Sequence, residues 1–189
     1  MKRFGFLLAA ATPLALMACS EPMMKAEEKP PMDSDAALIA DAMSAAPKGV
    51  GEHATIMAFN ADGSMRKLRD GTSNFTCFAD DPSPGHNPMC LDENGVAWAV
   101  AWIEHKTPPK GKVGFGYMLA GGSTPSNVDP YAAEPPGGAP LPVEPPHVMI
   151  FNLPKKAMDY PRPDEAYDPT QPWVMWKDTP YEHLMIPIK

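Results

Sequence analysis

Proline and glycine punctuation limits the folds open to this chain more than any other feature. Its 189 residues include 25 Pro and 14 Gly, many of them in dense runs. Residues 121–146 alone hold eight prolines and four glycines, and 159–172 is a second proline-rich coil. Proline fixes φ and removes a backbone donor, so neither stretch can be the interior of a helix or a central strand. Between them lie short apolar runs bounded by turn residues. The expectation is an α+β fold: a mainly antiparallel sheet with one principal helix and long Pro-rich loops.

The runs can be placed one by one. Residues 54–59, 64–69 and 74–78 read as short strands separated by Asn60-Ala61-Asp62-Gly63 and Asp70-Gly71-Thr72-Ser73. Two Asp-Gly turns between short runs predict an antiparallel meander. Strands are also expected at 113–119, 147–152 and 181–186, with a brief apolar run at 173–176 and Pro187 marking an end or an edge. The principal helix is expected over 92–105, capped by Asp92, with Trp98 and Trp102 sharing a face. A shorter helix over 34–45 is capped by Asp33 or Ser34 and stopped by Pro47-Lys48-Gly49. Gly114 and Gly116 lack the third glycine and following helix of a dinucleotide loop. They read instead as points where a strand bends or packs closely.

The amino terminus carries the parts of an export signal. Lys2 and Arg3 precede a short apolar core, and small Ala18 precedes Cys19. That core is too short for a comfortable membrane span. Leu16-Met17-Ala18-Cys19 resembles the bacterial lipobox, which implies cleavage after residue 18 and lipidation of Cys19. Ser20 after it implies outer-membrane sorting by the same resemblance. The expected product is an outer-membrane lipoprotein facing the periplasm, with a soluble periplasmic protein as the alternative. The chain then divides into a signal peptide at 1–18, a tether and short helix at 19–49, and a single domain at 50–189.

Charge and cysteine usage agree with that compartment. The formal charge of −7 becomes −9 without Lys2 and Arg3. So acidic a chain lacks the clustered Lys and Arg that phosphate contacts need, which sets nucleic acid aside as a partner. Cys77 and Cys90 remain once Cys19 is committed to lipid, and an oxidising compartment predicts a disulfide between them. The motifs Met89-Cys90-Leu91-Asp92, Gly121-Gly122-Ser123, Pro146-His147-Val148-Met149 and Thr179-Pro180-Tyr181-Glu182-His183 resemble a group of uncharacterised bacterial exported proteins. The resemblance covers most of 50–189. It implies one coherent domain in this compartment, with no activity and no site residues attached.

The sharpest chemical pattern is a repeated one. His147-Val148-Met149-Ile150 and His183-Leu184-Met185-Ile186 are near-copies, each in a run that reads as a strand. Strand alternation puts His147 with Met149, and His183 with Met185, on one face. If the two strands are neighbours, two imidazoles and two thioethers converge, a donor set suited to Cu(I). The competing reading makes both methionines core residues and both histidines edge or hydrogen-bonded residues, in a chain with 14 Met.

Weaker constellations accompany it. His86 lies near Asp80, Asp81, Asp92 and Glu93 without a recognised ligand spacing, and Glu104-His105 suits a helix C-terminus. Tyr131, Tyr167, Trp173, Trp176 and Tyr181 are expected either to line a groove or to clamp coil onto the sheet. No Gly-x-Ser-x-Gly elbow or His-Glu-x-x-His motif is present. The expected function is non-catalytic binding of a small ligand, with Cu(I) its most specific form. The alternative is an enzyme on a small or cell-envelope substrate, using His147 or His183 as acid/base.

Overall fold

A computed structural model describes residues 34–188 except Glu165. The expected signal peptide, the motif Leu16-Met17-Ala18-Cys19 and the expected lipidation at Cys19 lie outside the described residues. The fold is α+β, as expected. Eight strands form one sheet: β1 (Thr55–Phe59), β2 (Met65–Arg69), β3 (Phe75–Phe78), β4 (Met89–Asp92), β5 (Gly114–Met118), β6 (His147–Phe151), β7 (Trp173–Met175) and β8 (His183–Pro187). Their spatial order is β2-β1-β3-β4-β5-β6-β8-β7, antiparallel at every step but one.

The exception corrects the expected meander. The first Asp-Gly turn closes a β1–β2 hairpin, with the Asn60 amide donating to the Ser64 carbonyl at 2.7 Å. The second does not add β3 to β2; β3 pairs with the other edge of β1, in parallel. Gly71 is the reason. A Cβ there would lie 2.2 Å from the Thr55 nitrogen, so only glycine lets the chain recross the start of β1 so closely. The amides of Thr72 and Ser73 both donate to the His53 carbonyl and fix the crossing. β2, carrying Arg66, Lys67 and Arg69, is left as the charged outer edge.

One face of the sheet at this end is covered by α1 (Asp35–Ser44), whose cap is Ser34, accepting from the Ala37 amide. Ala42 and Ala45 of this segment are fully buried against Ile56, Ala58, Cys77 and Cys90. Small side chains let the helix approach closely, so residues 34–49, grouped by sequence with the tether, pack into the folded body. Pro47 then opens a single helical turn, α2 (Lys48–Gly51), as well as ending α1. Cys77 and Cys90 are direct partners in the β3–β4 register, buried beneath α1 with their sulphurs at bonding distance. The expected disulfide is therefore a cross-strand one.

The opposite face carries the principal helix, α3 (Glu93–Ile103). The Asp92 carboxylate accepts from the amides of Gly95 (2.7 Å) and Phe115 (3.0 Å), fixing the helix start to β5. A Cβ at Gly114 would sit 2.5 Å from the Gly95 nitrogen, so the glycine of β5 marks close packing, as its sequence context implied. Trp98 of α3 thereby rests on Leu91, Met149, Phe151 and Met185 of the sheet. Pro187 ends β8 where β7 no longer reaches, opposite His147 alone. Among the described residues, no helix is long and apolar enough to cross a membrane.

Candidate functional site

The two His-x-Met strands are neighbours. β6 and β8 pair antiparallel, with Met149 directly opposite Met185, His147 opposite Pro187 and His183 opposite Phe151. All four candidate residues share the sheet face that meets α3, because direct partners in an antiparallel pair point the same way. The methionines are adjacent. The histidines stand at opposite ends of the pairing, four residues or about 13 Å apart along the strands.

Both imidazoles are buried and similarly held. His183 Nδ1 donates to the Tyr181 carbonyl at 2.9 Å, and His147 Nδ1 to the Pro145 carbonyl at 2.7 Å. A carbonyl can only accept, so in each ring the proton sits on Nδ1 and Nε2 keeps its lone pair. Burial pushes His183 down to about 4, against the Tyr181 carbonyl, and the charge of His147 adds a smaller push. Burial likewise lowers His147. Near neutral pH both rings are uncharged acceptors. A metal-binding histidine is usually oriented through its other nitrogen in this way, and so is a histidine that simply packs. His183 lies edge-on to Trp98 and Trp176, each 5.1 Å between ring centres.

Above this face, between the sheet, α3 and the loops at 81–87 and 123–133, lies a cavity of about 410 Å³. Strand alternation builds its floor. Met89 and Leu91 of β4, Met118 of β5, Met149 of β6, and Met185 and His183 of β8 all face it. Trp98, Trp102 and Trp176 form its aromatic wall, with centres of neighbouring rings 5.0 to 6.3 Å apart. Gly116 gives the floor its depth. A Cβ there would meet Leu91 Cδ2 at 2.7 Å and Met149 Cε at 3.1 Å.

One carboxylate is sunk in this wall. Glu144 is 3% exposed, and its backbone is locked by a reciprocal pair of hydrogen bonds with Gly122. Burial pushes its carboxyl up to about 7, with a hydrogen bond from Thr124 working against that. Its Oε2 lies 3.9 Å from His147 Nε2, too far for a hydrogen bond, and that nitrogen is buried without a partner. Burial acts on each separately, raising the acid and lowering the base, so both are pushed toward their uncharged forms.

The other expected constellations are distributed differently. His86 pairs with Asp41 of α1 at 2.6 Å rather than with the acids flanking it in sequence. Among the described residues, no group of three or more His, Cys, Asp or Glu is placed to hold a metal ion. Glu104 pairs with Lys106, and His105 stacks on Tyr131. The aromatic set both clamps and lines. Trp173 Nε1 donates to Asn127 Oδ1 and Trp176 Nε1 to the Ser126 carbonyl. Tyr131 donates to the Trp102 carbonyl, while Trp176 also faces the cavity.

Glu144 is the functional candidate that the sequence reading passed over. Its signal was isolation: it is the one charged residue between positions 135 and 154. Comparisons with protein-family models, with curated proteins and with solved structures find no match.

Proposed function

We propose that the protein is a non-catalytic binding protein of the bacterial cell envelope, tethered through a lipidated Cys19, whose small ligand occupies the cavity over β4, β5, β6 and β8. The observation that carries this reading is the cavity itself, about 410 Å³ with five methionines and three tryptophans in its wall. That volume falls within the range of small-molecule sites, and so does a mostly apolar lining with a few polar groups. Methionine walls adapt to ligands of different outline, which suits a binder more than a catalyst. Neither histidine has a carboxylate on Nδ1 to orient it for general-base work.

The test is titration of the full chain with the neutral apolar fluorophore N-phenyl-1-naphthylamine, beside a Met149→Trp variant that fills the floor. Binding by the parent and loss in the variant supports the reading; equal binding by both would sink it. A Cu(I) reading is favoured by a separate observation. Met149, Met185 and His183 line the same cavity, and the Nε2 of His183 is left as a neutral donor. Anaerobic Cu(I) titration discriminates it: a His147→Ala/His183→Ala variant binding as weakly as the parent removes copper.

A further inference from the structure

We propose that the cavity recognises a small organic cation, an amine or ammonium group on an apolar body, with Glu144 as its counter-ion and Trp98, Trp102 and Trp176 as the faces it packs against. This rests on the cavity being a ligand site and goes further by naming the ligand's charge.

Three features of the lining point the same way. Asp81, Asp129 and Glu144 are all in it, and none of its residues is Lys or Arg. The acids are graded by depth, Asp129 being exposed, Asp81 half-buried and Glu144 buried. A field of one sign from mouth to floor draws cations inward and turns anions away. The three tryptophans supply the second feature. Indole faces attract a positive charge through the ring quadrupole, most strongly where water is excluded.

The third feature is the setting of Glu144. No described Lys or Arg is paired with it; Thr124 hydrogen-bonds to it, His147 Nε2 lies 3.9 Å away, and its charge perturbs the phenol of Tyr167. A carboxylate buried without a cation costs stability, and chains normally neutralise or pair it. A cationic ligand supplies the missing partner. His183, neutral and with a free Nε2, offers an acceptor for an N–H on the same ligand.

The experiment uses the full chain and three aryl probes of similar shape, followed by tryptophan fluorescence. They are benzyltrimethylammonium, its neutral carbon isostere neopentylbenzene, and the anion 3-phenylpropionate. The expected order is cation tighter than neutral by at least tenfold, with the anion weakest. Glu144→Gln should cut cation binding about tenfold while leaving the neutral isostere within twofold, which also shows that the variant is folded. Equal binding of cation and neutral isostere by the parent overturns the charge assignment and leaves the cavity reading standing. An unchanged cation affinity in Glu144→Gln overturns the role of that residue. If none of the three probes nor N-phenyl-1-naphthylamine binds, the cavity reading fails and this inference with it.

Discussion

The buried acid and the buried histidine should leave opposite signatures on the pH dependence of stability. Glu144 is raised from 4.5 to about 7 by burial. The native chain therefore keeps a proton that the unfolded chain gives up, and stability falls as pH rises between those values. At 1.36 kcal/mol per pH unit the loss is about 3 kcal/mol, complete just above pH 7. His183 is lowered from 6.5 to about 4. Here the unfolded chain takes up the proton, so stability falls as pH drops through the same interval, again by about 3 kcal/mol. In the parent the two slopes oppose each other between pH 4.5 and 6.5. Glu144→Gln removes one of them. Relative to the parent, its stability should climb by about 3 kcal/mol from pH 4.5 to 7.5, whatever constant offset the amide introduces. Urea unfolding at half-unit pH steps and fixed ionic strength, followed by tryptophan fluorescence, measures the difference. Parallel curves for parent and variant would refute the reasoning, because they would mean that Glu144 titrates alike folded and unfolded. His183→Gln should tilt the difference the other way.

Further tests address the frame around the cavity. Replacing Cys77 and Cys90 together by Ala should cost about 3 kcal/mol in urea unfolding, given the thirteen-residue separation they close. Gly114→Ala drives a methyl into the backbone of Asn94 and Gly95 and should cost about 3 kcal/mol, the upper end for overpacking. Gly116→Ala meets only side-chain ends of Leu91, Met149 and Phe151. It should cost nearer 1 kcal/mol and weaken apolar dye binding instead. Asn127→Ala removes side-chain bonds to Trp173, Pro163 and Asp164 from a buried position, and thermal melts should show a loss of about 2 kcal/mol or more.

What the sequence disclosed and what it withheld divide along the distance of the interactions involved. The β1–β2 hairpin, the Asp92 cap and the alternation of His147 with Met149 are local, and each stood where turn chemistry and periodicity put it. The parallel place of β3 was hidden because it depends on Gly71 passing the backbone of residues 53–55, a contact between chain segments with no local pattern. β4 was missed for its brevity, four residues between a loop and a helix. The adjacency of Met149 and Met185 was legible as a condition on strand pairing, but the stagger that parts the histidines was not. Register is set by the whole sheet, and a repeated tetrapeptide in antiparallel strands necessarily runs its copies in opposite directions. The cavity was illegible for a similar reason. Its wall draws on β4, α3, β5, β6, β8 and two loops, and apart from the two His-x-Met strands none of these shows a motif alone.

The long coil at 121–146 is bolted down along much of its cavity-facing half. Trp102, Trp173 and Trp176 donate their indole N–H groups to Pro130, Asn127 and Ser126, and Gly122 with Glu144 closes its base. Such a segment behaves as masonry rather than as a shutter. The lining residues that are also exposed are Ser83, Pro84, Asp129 and Ala133, and a ligand passing between them would be sorted by girth before chemistry is consulted. In stopped-flow mixing the observed rate should rise in proportion to ligand concentration, with no ceiling set by an opening step.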